Sequence, residues 1–146
     1  MTTLTRRRSD NEHPETWHVY FSDVHIGTIG RCAGVPLSSP QWNWDCGFYP
    51  GIEPGAQKGG AAESFDAARQ AFEAAWAQLA PTLDEDAFER WRDQRDFTAW
   101  KYRMWNDKLP LPAQTQDDRS RCFCGERIST AGVHAHIRAA HRGIGA

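Results

Sequence analysis

The sequence holds no uninterrupted apolar run of about 18 residues, the length a membrane-crossing helix needs, so no transmembrane helix is expected. Neither sign of charge dominates. Seventeen Lys and Arg stand against 19 Asp and Glu, a formal charge of -2, which excludes a histone-like binder held by bulk electrostatics. The glycine-rich stretch Gly51 to Gly60 lacks the Lys-Ser/Thr of a phosphate-binding loop and does not fit a dinucleotide fingerprint. Met1 to Glu15 carries Arg6, Arg7 and Arg8, but no apolar segment follows them, so no secretory signal is predicted. The expected compartment is therefore a reducing cytoplasm, where disulfides are disfavoured. The four cysteines, Cys32, Cys46, Cys122 and Cys124, are read as free thiols or metal ligands.

What is present is ordinary in bulk and distinctive in detail. A 40% hydrophobic share over 146 residues suits one globular domain with a small appendage, and argues against wholesale disorder. Seven tryptophans supply large side chains for a core, and all lie between Trp17 and Trp105. Residues 1–15 are polar, with acids and arginines cancelling, and read as a mobile N-terminal tail. Trp17, Val19 and Phe21 then alternate with polar neighbours, the period of a half-buried strand. A turn at Ser22-Asp23 leads into a second strand, Val24 to Ile29. After a Gly/Pro/Ser loop, Trp42, Trp44, Cys46 and Phe48 alternate as a third, and Pro50 to Gly60 reads as a loop.

Ser64 is placed to cap a helix running to about Leu79, with Phe65, Ala68, Phe72, Trp76 and Leu79 on one stripe. Thr82-Leu83-Asp84-Glu85 fits a capping box for the next helical stretch, which runs to about Asn106. Its apolar positions drift between stripes, which predicts a bend or a split near Asp96. Leu109-Pro110-Leu111-Pro112 ends the helix, and 109–119 reads as a linker. The expected fold is α+β: a three-stranded antiparallel sheet, two or three helices, and a small zinc-finger-like element at 120–146. The domain proper spans 16–108. Over residues 17–80 the strand order followed by a helix resembles small sheet-plus-helix modules such as the integrase arm-type DNA-binding domains, in topology alone.

The chemistry concentrates near the C-terminal end of the sequence. Cys122, Cys124, His136 and His141 give the pattern C-x-C-x11-H-x4-H. Zinc takes four sulfur or nitrogen ligands in a tetrahedron, and thiolates on a tight turn can meet imidazoles on a following helix. Over residues 121–142 the segment resembles a degenerate C2H2 zinc finger. That resemblance implies a single, closed, structural zinc, with Ile128 and Val133 as the apolar packing positions. In an extended strand, Cys122 and Cys124 would share one face with Phe123 opposite. Histidines five apart lie about 140° apart on an ideal helix, so the last turn must loosen. His134 is a spare ligand candidate. A redox Cys-x-Cys pair is the chemical alternative, but no thioredoxin-like βαβ pattern precedes it.

The positions that would read DNA bases in such a finger are Ser129, Ala131, Gly132 and Ala135, none able to make bidentate base contacts. Arg119, Arg121, Arg127, Arg138 and Arg142 offer phosphate contacts only. His18, His25, Cys32 and Cys46 match no ligand template; the reading is a buried thiol at Cys46 and surface histidines. Trp42 and Trp44 read as core, Trp100 and Trp105 as core or an exposed patch. No Ser/His/Asp or Cys/His pairing is placed to make a nucleophile. The expectation is a non-enzymatic cytoplasmic zinc-binding adaptor with a protein partner and no membrane association. The alternative is a nucleic-acid-binding accessory protein, mainly non-sequence-specific and associated with mobile DNA.

Overall fold

The structure, a computed structural model, describes residues 4–10, 14–115 and 119–146. The remaining parts of the expected tail and linker (1–3, 11–13 and 116–118) lie outside them. Contacts group the chain into two compact units, 1–91 and 92–146.

The first unit is a five-stranded antiparallel meander with a helix on one face. Strands β1 (Leu4–Arg8), β2 (Thr16–Phe21), β3 (Val24–Arg31), β4 (Trp42–Cys46) and β5 (Lys58–Ala62) lie in sequence order. The three expected strands are β2, β3 and β4, and two more were missed. β1 falls inside the expected tail, pairing Leu4 with Phe21 and Arg8 with Trp17. As an edge strand it buries little of its own, so its sequence carries no apolar alternation. β5 begins inside the expected loop, Pro50 to Gly60, and runs two residues past it. Its glycines answer to the neighbouring strand: a Cβ at Gly60 would lie 3.2 Å from the Trp44 indole nitrogen, and one at Gly59 2.9 Å from Asp45 Oδ1.

Helix α1 (Phe65–Leu79) starts where expected, with Ser64 Oγ accepting from the Ala67 amide at 3.1 Å. Ala68, Phe72, Trp76 and Leu79 face the sheet and are buried with Val19, Val24, Ile26, Ile29, Cys46 and Phe48. Aromatic contacts fill the remainder, including Trp17 and Trp42 against Phe65, and Phe21 and Phe48 stacked on Phe88. Gly27 is required at its position. It takes φ +156°, and a Cβ there would sit 2.0 Å from the Asp45 carbonyl oxygen.

Helix α2 (Glu85–Asn106) is one uninterrupted helix, so the expected split at Asp96 does not occur. Its first turns serve the core of the first unit through Ala87, Phe88 and Trp91. Later turns serve a second core, through Phe97, Trp100 and Met104. Two cores drawing on one helix explain the drifting stripe. The expected capping box is shifted: Asp84 Oδ1 accepts from the Ala87 amide at 3.0 Å, while the Thr82 hydroxyl donates back to the Leu79 carbonyl.

The second unit contains the rest of α2, a 3₁₀ turn (Pro112–Gln114), a small hairpin closed by a bridge between Arg121 and Arg127, and α3 (Val133–Ala140). Its core joins Trp100 and Met104 to Cys122, Ile128, Val133 and Ile137. Ile128 and Val133 thus occupy the packing positions the zinc-finger resemblance implied. A carboxylate holds the unit's last residues. Asp96, fully buried, accepts from the amides of Gly143 and Gly145 at 3.0 and 3.2 Å and pairs with Arg95.

Candidate metal centre

Four side chains converge in the second unit. The ligand atoms of Cys122, Cys124, His136 and His141 all lie within 4.8 Å of one another. Local structure produces this. The Arg121–Arg127 bridge and the Cys122 amide donating to the Glu126 carbonyl (2.8 Å) tie off a tight turn. Gly125 closes it at φ +95°, its amide donating to the Cys122 carbonyl. The two cysteines therefore sit on a tight turn and not in an extended strand.

His136 projects from α3, and His141 is its C-terminal cap. With φ -131° and ψ 23°, His141 has left helical geometry, the loosening that a five-residue histidine spacing demands. Both imidazoles use the same atom. Cys122 Sγ lies 3.3 Å from His141 Nε2, and Cys124 Sγ lies 3.6 Å from His136 Nε2. With Zn–S near 2.3 Å and Zn–N near 2.0–2.1 Å, a tetrahedral ion leaves sulfur and nitrogen about 3.5 Å apart. These two separations bracket that edge, and the four atoms together could hold a metal ion. His134 is outside the cluster, its ring resting on Phe97 at 4.5 Å.

No family model, no curated protein and no solved structure matches this chain. The chemistry of the site must therefore be argued from its own atoms. Burial raises the Cys122 thiol above its ordinary value, partly offset by the Cys124 amide and the Trp100 indole N–H, which favour the thiolate. A metal binding there displaces a proton and relieves that penalty. His141 is held below its ordinary value by burial, with the charges of His136 and Arg103 acting the same way. Both effects favour the neutral imidazole, the form that ligates.

Trp100 is the functional residue that local spacing could not reveal. Its Nε1–H donates to Cys122 Sγ at 3.2 Å from 22 residues upstream. The only hint in the sequence is a large aromatic in a highly charged helix. Phe123 packs on His141 in a tilted arrangement with ring centroids 4.7 Å apart, and the Arg103 guanidinium lies over the Phe123 ring. Trp100→Phe keeps most of the packing and removes the donor. It is expected to weaken metal binding about ten- to a hundredfold, the usual cost of losing such a supporting group. Competition with a chromophoric chelator would measure this, and unchanged affinity would show that Trp100 only packs.

The other expected residues separate. Cys46 is buried in the first unit, as expected, with its thiol pushed up to about 12 by desolvation. Cys32 and Cys46 join no cluster of three or more metal-capable residues among the described residues. His18 and His25 are half-buried rather than freely exposed, and they touch. Burial first, and then the charge of His18, hold His25 below its ordinary value, against an opposing backbone contact at Gly27. A groove of about 560 Å³ lies between β1–β3 and α1, floored by Trp17, Val19 and Phe72. Two of its charged lining groups, Arg69 and Glu73, pair with each other at 3.1 Å. No helix among the described residues is long and apolar enough to cross a membrane.

Proposed function

We propose that Cys122, Cys124, His136 and His141 bind one structural zinc ion, and that the protein is a non-enzymatic cytoplasmic adaptor whose second unit docks a protein partner. The observation that carries the metal reading is the convergence of two sulfurs and two imidazole nitrogens within 4.8 Å of one another, with two sulfur–nitrogen pairs at 3.3 and 3.6 Å. Two thiols and two imidazoles match zinc in softness and geometry, whereas calcium or magnesium would require oxygen donors. Four protein ligands complete the coordination, so the ion organises the fold rather than activating water.

Docking to protein rather than to nucleic acid is supported by the fate of the basic residues. Arg138 and Arg142 both pair with Asp93, and Arg142 also reaches Asp96 at 3.4 Å. Arg121 donates to the Gly125 carbonyl. Three of the five arginines that could meet phosphates are thus engaged within the unit. Tyr102 and Trp105, by contrast, present an exposed aromatic pair in edge contact at 5.3 Å near the end of α2. Aromatics of this kind are enriched at protein interfaces.

Elemental analysis of the purified protein is expected to find one zinc per chain, and cobalt substitution to give the absorption of a tetrahedral thiolate–imidazole site. Absence of stoichiometric metal would end the reading. A gel-shift titration at low salt against duplex and single-stranded DNA should be flat; a shift that fades steeply with salt would favour nucleic acid instead.

A further inference from the structure

The open face of the sheet, opposite α1, carries a second pair of nitrogen ligands. His18 Nδ1 on β2 and His25 Nε2 on β3 are 3.2 Å apart, with their rings nearly perpendicular at 70°. Strand pairing alone would not bring them together. Counting from the end of the hairpin farther from the turn, the register runs Trp17 to Ile29, His18 to Thr28 and Val19 to Gly27. Continued without interruption, it would set Tyr20 against Ile26 and Phe21 against His25. His25 would then point into the core, where Phe21 packs on Trp76 and Phe88.

A bulge between Val19 and Tyr20 shifts the pairing by one, so that Tyr20 faces His25 and Phe21 faces Val24. Ile26 is taken up on the core side, and both Val24 and Ile26 are fully buried. Side chains two apart on a strand share a face, so His18, Tyr20 and His25 now stand together on the open side. The device depends on Gly27, whose backbone conformation and closeness to Asp45 exclude a side chain.

We infer that His18 and His25 form a second, weak binding site for a borderline divalent transition metal such as zinc, separate from the four-residue cluster. Two nitrogens bound to one ion at about 2.0–2.1 Å lie roughly 2.9–3.4 Å apart for bond angles between a right angle and the tetrahedral value. The observed 3.2 Å falls within that span. Imidazole selects zinc, copper or nickel over calcium and magnesium. Among the described residues this pair supplies two ligands, and the affinity expected is that of a two-ligand site. The Arg7 guanidinium lies over the Tyr20 ring on the same face, 4.8 Å from its centroid, and its charge opposes a cation. Both features predict micromolar rather than nanomolar binding.

The test is calorimetric titration of zinc into full-length protein whose four-residue cluster has first been saturated. One further weak equivalent is expected. His18→Gln and His25→Gln should each weaken that equivalent about tenfold or more, because each removes one of two ligands. Both positions are half-buried on the open face, so far-UV circular dichroism should be unchanged. The His18 and His25 ring resonances should also shift on zinc addition in the unsubstituted protein. A further equivalent of equal affinity in both variants would overturn the inference. So would no further equivalent up to millimolar zinc, which would leave the pair as a simple N–H···N hydrogen bond. Because the readout is the difference made by His18 and His25, it stands or falls separately from the proposal for the four-residue cluster.

Discussion

Cys124→Ser is expected to abolish stoichiometric zinc binding and to unfold residues 120–142, leaving the sheet and α1 of the first unit intact. The size of the effect follows from how little else holds the hairpin. Ile128, Val133 and Ile137 are its main buried apolar side chains, alongside Cys122. Structural zinc in finger-sized segments contributes roughly 10–16 kcal/mol of apparent binding free energy, as much as a whole domain's net stability of about 5–15 kcal/mol. Cys124 is chosen because its side chain is exposed, so serine there costs little packing. Cys122→Ser would remove the same metal while disturbing the Trp100 contact. Chelation of the unsubstituted protein should produce the same state as Cys124→Ser, read by amide hydrogen exchange across 120–142. Protection that survives both treatments would show that the segment folds without metal.

The second large effect concerns Asp96. Asp96→Ala should destabilise the second unit by about 3 kcal/mol, because it leaves the Gly143 and Gly145 amides and the Arg95 guanidinium without their buried acceptor. Protection of the Gly143 and Gly145 amides against exchange should fall about a hundredfold. Retained protection would mean that those amides are held by something else. A pH dependence accompanies it. Burial pushes the Asp96 carboxyl up, but hydrogen bonds from Arg95, Gly143 and Gly145 outweigh that and hold it below the ordinary carboxylate range. Asp93 is lowered in the same sense: burial opposes, and Arg138 and Arg142 prevail. The unfolded chain therefore takes up protons more readily than the folded one. The stabilisation is complete above the unfolded carboxylate value of about 3.9 and is lost as pH falls through the lower folded values.

The Cys/His cluster was legible because its four candidate ligands lie at ligand-like spacing in a short segment. The two cysteines and two histidines, the apolar Ile128 and Val133, and the loosening at His141 all follow from 22 consecutive residues. Trp100 was not legible, since nothing local ties it to Cys122. The fold divides in the same way. β2, β3, β4 and α1 bury one face each and so carry their period in sequence. β1 contributes arginines to a sheet edge, and β5 contributes glycines that make room for Trp44 and Asp45. Their strand character resides in the partner strand. The split expected near Asp96 came from a stripe that drifts because α2 serves two cores, and the role of Asp96 itself was hidden because its partners, Gly143 and Gly145, lie almost fifty residues away.

The Trp100–Cys122 hydrogen bond also gives the molecule an internal optical gauge. A buried indole whose N–H rests on a sulfur has its emission governed by the state of that sulfur, since thiols and thiolates quench an adjacent excited indole whereas a closed-shell zinc thiolate does so differently. Of the seven tryptophans, Trp17, Trp42, Trp44, Trp76 and Trp91 belong to the first unit, and Trp105, in the second, is exposed, so Trp100 is the buried one beside the cluster. Occupancy of the cluster can then be followed in unlabelled protein, through light emitted by a residue that is not itself a ligand.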